Sequence, residues 1–181
     1  TVTVLSIILL IDLKTGLIPN KITYPASLVA VFYLLSTSTL KSWVFYRDLL
    51  QNPLGKYLLP PQSGYMLDQL IKIWQPAIFA VVSAIIISLF FALLIIITRG
   101  KGMGWGDVKF VLFLGLALGF PGIAVGIFFA FTLGAIFSLG LITFRKKHFG
   151  QTIPFGPFLS LGALIYLLFG PAIINWYLTI F

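Results

Sequence analysis

Long apolar runs alternate with short polar segments along this chain of 181 residues. Four windows contain no charged residue: Ile22–Leu40, Pro76–Thr98, Phe110–Phe144 and Phe149–Phe181. An α-helix needs about 20 apolar residues to cross the hydrocarbon core of a bilayer, so each window is long enough for a crossing. The pattern therefore predicts an all-α fold, a polytopic bundle of transmembrane helices.

Glycine and proline divide the C-terminal half further. The sequence LGFPG at 118–122 predicts a break between two antiparallel helices, Asp107–Gly119 and Gly122–Phe144. The segment that follows residue 153 is either one long span or two pieces separated at Gly170–Pro171.

The N-terminal half is expected to hold one partial span and two complete ones. Only eleven apolar residues precede Asp12, about half of a span, and no methionine begins the chain, so we expect a first helix cut from a longer protein. The second span is Ile22 to about Leu40, and the third is Pro76–Thr98, with proline at a favoured first position. Residues 41–75 are predicted to form a polar, aromatic-rich interfacial loop. The total is about six spans in one membrane-embedded domain, residues 1–181.

Composition excludes other classes of protein. Hydrophobic residues make up 60% of the chain and charged residues 9%, whereas soluble domains carry about 25% charged residues. The net charge of +8 comes from scattered basic residues that form no face, so no nucleic-acid partner is expected. Without cysteine the chain forms no disulfide, and its one histidine, His148, cannot bind a metal alone.

The basic residues predict the orientation in the membrane. If the turn after Asp12 is cytoplasmic, alternation of the spans brings residues 99–109 and 145–152 to the same side. That side carries more lysine and arginine, as cytoplasmic loops do. The two sets are Lys14, Lys21, Arg99, Lys101, Lys109, Arg145, Lys146 and Lys147 against Lys41, Arg47, Lys56 and Lys72. Asp12 and Asp107 are then expected at the same, cytoplasmic face of the plasma membrane.

Aspartate supplies every acidic group, because the chain has no glutamate. Asp48 and Asp68 fall in the polar loop, where solvation is enough to explain them. Asp12 follows aliphatic residues at a helix C-terminus, where the helix dipole disfavours a negative charge. Ionisable residues at such positions are candidates for function, although a carboxylate that reaches headgroup water beside Lys14 also fits.

Asp107 begins a predicted helix, where aspartate is a preferred N-cap. The 13 residues from Asp107 to the break give about 20 Å of helix, too short for a hydrocarbon core of about 30 Å. Asp107 is therefore expected in a recess partly below the membrane surface, where capping and a functional role are compatible.

Four glycines, at 100, 102, 104 and 106, precede Asp107. A dinucleotide-binding loop is rejected, because the preceding run is a membrane span and no acidic residue follows to bind a ribose. Glycine also leaves room for another backbone to pass closely, and a protease takes its substrate in an extended form. Gly104 and Gly106 are candidates to admit such a strand beside Asp107.

Three segments match the signatures of one known family in the right order. Gly104–Trp105–Gly106–Asp107 has the form GxGD and is followed by Lys109. IDLKTGLIPN at 11–20 places an aspartate before an Ile-Pro-Asn turn, and IPFGPFLSLGA at 153–163 is similar to a late signature. Together they resemble the type IV prepilin leader peptidases, a branch of the GxGD-type intramembrane aspartic proteases.

The resemblance implies an integral membrane aspartic endopeptidase that removes the short basic leader of a prepilin or pseudopilin in the lipid bilayer. Asp12 and Asp107 would share a proton, the ionised one activating water and the protonated one polarising the scissile carbonyl. No metal or organic cofactor is needed. Such enzymes often methylate the new N-terminus through an upstream cysteine-bearing region, which these residues lack. The expected substrate-binding residues are Gly104, Gly106, Lys109, Pro19, Pro154, Phe155, Gly156 and Pro157.

Two other functions could use the same pair of aspartates. A different signal-peptide protease of the GxGD type would share them, although the segment at 153–158 favours the prepilin branch. A proton- or cation-coupled transporter would also combine broken helices with acids. Against a transporter, the chain has no inverted repeat and both acids are expected at one face.

Overall fold

The computed structural model describes residues 2–15, 18–53, 55–58, 64–100, 103–143 and 154–180. These ranges contain five α-helices, one short 3₁₀ helix (Gly55–Leu58) and no β-strand. The α-helices are α1 (Val2–Thr15), α2 (Asn20–Gln51), α3 (Tyr65–Ile97), α4 (Trp105–Thr143) and α5 (Gly156–Ile180). The all-α prediction is confirmed.

Four of these helices, α2, α3, α4 and α5, are long and apolar enough to cross a membrane. α1 has 14 residues, fewer than the roughly 20 that a full crossing requires. The chain is therefore a multi-pass membrane protein. By length and apolarity the described helices give four candidate spans and not the expected six, because α1 is too short and α4 counts as one helix.

α4 breaks at the predicted position. Gly119 has φ 64° and ψ −176°, and Phe120 is extended, with φ −92° and ψ 137°. A positive φ of this kind favours glycine, which has no Cβ. The sequence LGFPG thus ends one helical part, residues 105–118, and begins another, residues 121–143.

The two parts of α4 run in opposite directions. In the first part, Gly115 packs against Ala84 of α3, and Gly119 packs against Ala80, so this part is antiparallel to α3. After the break, the ring of Phe131 lies 6.0 Å from that of Phe91, further along α3. The second part therefore returns along α3 towards the end of the bundle where α4 begins, as the sequence predicted.

The loop predicted over residues 41–75 is largely wrong. α2 continues to Gln51 and α3 already begins at Tyr65. Asp48 and Asp68 consequently lie on helices, both exposed, rather than in a loop. Their predicted solvation is confirmed although their local structure was not.

Proline lies inside two helices where the sequence suggested ends. Pro76 was expected to start a span but sits within α3. It removes a hydrogen bond to the carbonyl four residues earlier, that of Lys72, which is at an exposed position. Pro171 lies within α5, so the C-terminal segment is one helix and not two pieces.

The core joins α1, α3, α4 and α5, whereas α2 is peripheral. Residues of α2 such as Ile22, Ala26 and Ala30 are only partly buried against it. α2 is instead tied to α3 by a hydrogen bond of 3.1 Å from Trp74 Nε1 to Ser42 Oγ. The fully packed cluster comprises Leu5, Ile8, Phe91, Phe110, Val111, Phe113, Leu114, Ile123, Ala130, Leu159 and Ala163.

Candidate active site

Asp12 lies in the last turn of α1 with only 2% of its surface exposed. Its Oδ2 atom accepts no hydrogen bond from any residue that the structure describes. Burying a carboxylate oxygen without a partner is costly, so packing alone does not explain Asp12. The alternative in which Asp12 extends into headgroup water beside Lys14 is wrong.

Asp107 lies in the first turn of α4 and is 7% exposed. The Gly104 N–H donates a hydrogen bond of 3.1 Å to its Oδ2 atom, and the Asp107 N–H donates one of 3.0 Å to the Gly104 carbonyl. Gly104 rather than Asp107 therefore occupies the N-cap position, and Asp107 reaches back to it from the third helical residue, as in one half of a capping box. The prediction of Asp107 as the N-cap is therefore wrong by three positions, although its carboxylate does accept a backbone N–H at the start of α4.

Two glycines and Ile18 bring the aspartates into one cluster. A Cβ atom on Gly106 would lie 3.3 Å from the Ile18 Cβ, and one on Gly156 would lie 3.2 Å from the Ile18 Cδ1. The same atom on Gly156 would overlap Asp12 Oδ2 and lie 3.0 Å from Asp12 Cγ. The end of α1 and the beginnings of α4 and α5 therefore meet at one end of the bundle, around Ile18.

The start of α5 changes the electrostatic environment of Asp12. The dipole of α1 disfavours a negative charge near its C-terminus. Gly156, the first residue of α5, lies against the Asp12 carboxylate, and a helix N-terminus favours a negative charge. The unfavourable field predicted from α1 alone is thus opposed by a second helix that is remote in sequence.

Lys109 and Pro19 hold the neighbouring start of α2. The Lys109 Nζ donates a hydrogen bond of 3.1 Å to Asn20 Oδ1 and lies 5.2 Å from the centre of the Tyr24 ring. The Pro19 carbonyl accepts the N–H of Thr23 at 3.1 Å. Both residues lie beside the cluster and make structural contacts, and their predicted contact with a substrate stays a prediction.

The residues of the segment at 154–157 differ in burial. The Phe155 ring lies 5.0 Å from that of Phe131 and 6.1 Å from that of Phe91, and Pro157 is buried. Pro154 is exposed. The aromatic contacts fix where α5 begins, and hence where Gly156 meets Asp12.

The four glycines before Asp107 differ in their surroundings. A Cβ on Gly104 would meet only ordinary contacts, at 3.9 Å or more, whereas Gly106 is closely covered by Ile18. Gly100 has φ +72° and no atom near its Cβ position, and its N–H donates to the Ile95 carbonyl at 2.9 Å, which ends α3. Gly102 lies outside the described residues.

Two neighbours of the site had no obvious signal in the sequence. Ile18 is one more aliphatic residue in a turn, yet it contacts both Gly106 and Gly156. Ser160 is fully buried and its Oγ has no partner among the described residues. It follows Gly156 by four positions, the spacing that places two residues on one helix face, and this spacing could have drawn attention to it.

Within the described ranges, no three His, Cys, Asp or Glu side chains are grouped as a metal would require. His148 and the basic residues at 145–147 lie outside those ranges, so the structure does not place them. Among the described residues, the cluster contains two buried carboxylates, and the Oδ2 atom of Asp12 has no hydrogen-bond partner.

A known protein family matches most of this chain. A profile of the type IV leader peptidase family matches residues 1–139. The chain belongs to this family. The match includes both Asp12 and Asp107 and confirms the resemblance to this family. It covers the segments at 11–20 and 104–107, whereas the segment at 153–163 lies beyond it. No solved structure matches the chain.

Individual relatives from three bacteria carry the same name. A prepilin leader peptidase/N-methyltransferase of Aeromonas salmonicida is 31% identical over 169 residues, which cover 93% of this chain and 47% of that protein. One of Aeromonas hydrophila is 40% identical over 86 residues, 48% of this chain and 30% of that protein. One of Bacillus subtilis is 32% identical over 90 residues, 50% of this chain and 36% of that protein. The chain spans about half the length of these relatives or less.

Proposed function

We propose that this chain is a membrane aspartic endopeptidase that removes the short basic leader of a type IV prepilin or pseudopilin. The observation that supports the proposal is the burial of two aspartates, Asp12 and Asp107, whose neighbouring glycines, Gly156 and Gly106, both lie against Ile18 at one end of the bundle. They come from segments 95 residues apart, and family membership supports their pairing. We assign only peptide cleavage to these residues.

In the proposed mechanism the two carboxylates share one proton. Two adjacent carboxylates cannot both ionise cheaply, so one remains protonated while the other is charged. The ionised partner accepts a proton from water, and the protonated partner donates a hydrogen bond to the scissile carbonyl. The pair acts as a unit, and neither role is assigned to one residue. Asp12 Oδ2, which has no hydrogen-bond partner among the described residues, is the oxygen to which we assign this exchange.

The proposed topology places this end of the bundle in the cytoplasm. α1, α2, α3, the two antiparallel parts of α4 and α5 make six membrane-embedded segments in one peptidase domain, residues 1–181. The excess of basic residues on the side of Asp12 favours a cytoplasmic location for the pair, at the inner face of the plasma membrane. The substrate would present a basic leader in the cytoplasm and an apolar helix in the bilayer, with cleavage after a glycine at the boundary.

The direct test is incubation of membranes that contain the chain with a prepilin-like substrate. We expect two products, the leader and the shortened apolar helix, identified by mass spectrometry. A substrate in which the glycine before the scissile bond is replaced serves as a control and should remain intact. No cleavage by well-folded protein, or cleavage at another bond, would contradict the proposal.

Asp48→Asn and Asp68→Asn should cleave within about twofold of the wild-type rate. Both side chains are exposed, and the partner of Asp48, Arg47, lies 3.9 Å away in an exposed pair, a type that contributes little. Initial rates in membranes, normalised to the amount of protein, check this. A large loss in either variant at normal abundance would show that the acidic pair is wrongly assigned.

Alanine at the glycines before Asp107 should produce graded effects. Gly106→Ala should lower cleavage by at least about tenfold, because its Cβ presses on Ile18 next to the pair. Gly104→Ala leaves the protein packed but should still impair cleavage, because its methyl group would lie in the proposed path of the extended substrate. Gly100→Ala strains a positive φ and should lower stability more than activity. Melting temperatures and cleavage rates separate the three; equal losses of rate would refute the argument for backbone access.

A further inference from the structure

A cleft of about 820 Å³ lies between α2, the first part of α4 and the N-terminal half of α1. Its wall on α2 runs from Lys21 to Leu34, and its wall on α4 includes Phe113 and Ala117. Thirteen helical steps along α2 correspond to about 20 Å. The cleft therefore extends along α2, in the direction in which the helices cross the membrane.

The end of the cleft that contains Lys21 adjoins the candidate active site. Lys21 follows Asn20, whose side chain accepts the hydrogen bond from Lys109, two residues beyond Asp107. Phe113 follows Asp107 by six residues, or about 9 Å along the helix. An occupant of the cleft would thus extend from the level of the aspartates into the apolar interior of the membrane.

The lining of the cleft suits a helix. On α2 the lining residues recur every four positions, which defines one face, and Ala26 and Ala30 lie in its middle. Ala117 lines the α4 wall. Small residues four apart are typical of surfaces on which two membrane helices approach closely. α2 contributes only partly buried residues to the core, so none of the described residues fills this face.

Charge decides which part of a substrate enters the cleft. Lys21 is the single charged residue among those that line it, and it forms no ion pair with another described residue. A basic leader would be repelled by Lys21 at the mouth. An uncharged apolar helix carries no such penalty, so the leader stays outside while the segment after the cleavage point occupies the cleft.

We propose that this cleft is the docking site for the apolar helix of the substrate, which lies parallel to α2 and positions the scissile bond beside Asp12 and Asp107. The inference rests on the proposed function and adds to it the surface that selects the substrate. It explains how an enzyme whose loops are basic recognises a substrate with a basic leader.

The test measures binding separately from cleavage. A labelled peptide with the apolar helix of a prepilin-like substrate, but no leader, is titrated against the labelled chain in nanodiscs by energy transfer. Ala30→Phe and Ala117→Phe fill the cleft from opposite walls and should each weaken binding at least tenfold. Ala172→Phe, the same kind of change at an exposed position of α5, should bind like the wild type.

The cleavage assay then distinguishes the proposed docking site from the proposed function. With the full substrate, Ala30→Phe should raise KM at least tenfold, whereas Ala172→Phe should not. Wild-type cleavage with equal helix binding by all variants would overturn the docking site and leave the proposed function standing. Helix binding that depends on Ala30 without any cleavage would support the docking site and refute the proposed function. Weaker binding by Ala172→Phe as well would show a general packing effect and overturn the inference.

Discussion

Gly156→Ala should lower the rate of leader cleavage at least about 100-fold while the protein remains inserted and folded. The new Cβ would overlap Asp12 Oδ2 and lie 3.0 Å from Asp12 Cγ and 3.2 Å from Ile18 Cδ1. The beginning of α5 is held by the aromatic contacts of Phe155, so the carboxylate is the part that moves. Misplacing a catalytic group by about 1 Å can cost about 100-fold in rate.

Gly140→Ala is the matched control for this substitution. Gly140 lies in α4, and a Cβ there would meet no atom of the described residues within 4 Å. The same chemical change should leave cleavage at the wild-type level, since alanine is favoured over glycine within a helix. Initial rates and melting temperatures of both variants, measured in the same detergent, decide the comparison. Equal activities would show that the contact between Gly156 and Asp12 has no catalytic importance.

Asp12→Asn and Asp107→Asn should each reduce cleavage by at least about a thousandfold, because an amide cannot exchange a proton with water as a carboxyl group does. Both substitutions keep the shape of the side chain. In Asp107→Asn the new amide oxygen can still accept the Gly104 N–H, so the start of α4 should persist. Single-turnover rates with excess enzyme, alongside the abundance of each variant in the membrane, check this expectation. A variant that retains a tenth of the wild-type rate would remove its residue from the pair.

The pattern of apolar residues predicted the helices well wherever burial in lipid decides the structure. The break at 118–122 could be predicted from its glycines and proline, because Gly119 adopts a φ of 64° that residues with a Cβ resist. The C-terminal end of α2 and the N-terminal end of α3 could not be predicted from the sequence. Between Leu40 and Pro76 the polar side chains do not prevent a helix, because helical backbone groups bond to each other whatever the side chains are. The loss of apolarity therefore marks the membrane boundary and not the end of a helix.

The candidate pair was predictable, but its surroundings were not. The absence of glutamate and the topology left Asp12 and Asp107 as the two acids at one face. The contacts around both aspartates depend on how α1, α4 and α5 pack against one another. The spacing of residues along the chain does not predict this packing. Ile18 and Gly156 therefore acquire their roles only from the packing in three dimensions, and the helix N-terminus beside Asp12 is visible only there.

The most direct test of the account compares single-turnover cleavage by the wild type, Asp12→Asn, Asp107→Asn and the double variant on one prepilin-like substrate. Residues that act as a unit have strongly non-additive effects on rate. The account predicts that each single variant loses at least about a thousandfold and that the double variant is no slower than either. Full activity in either single variant, or a double variant whose loss is the product of the two single losses, would contradict it.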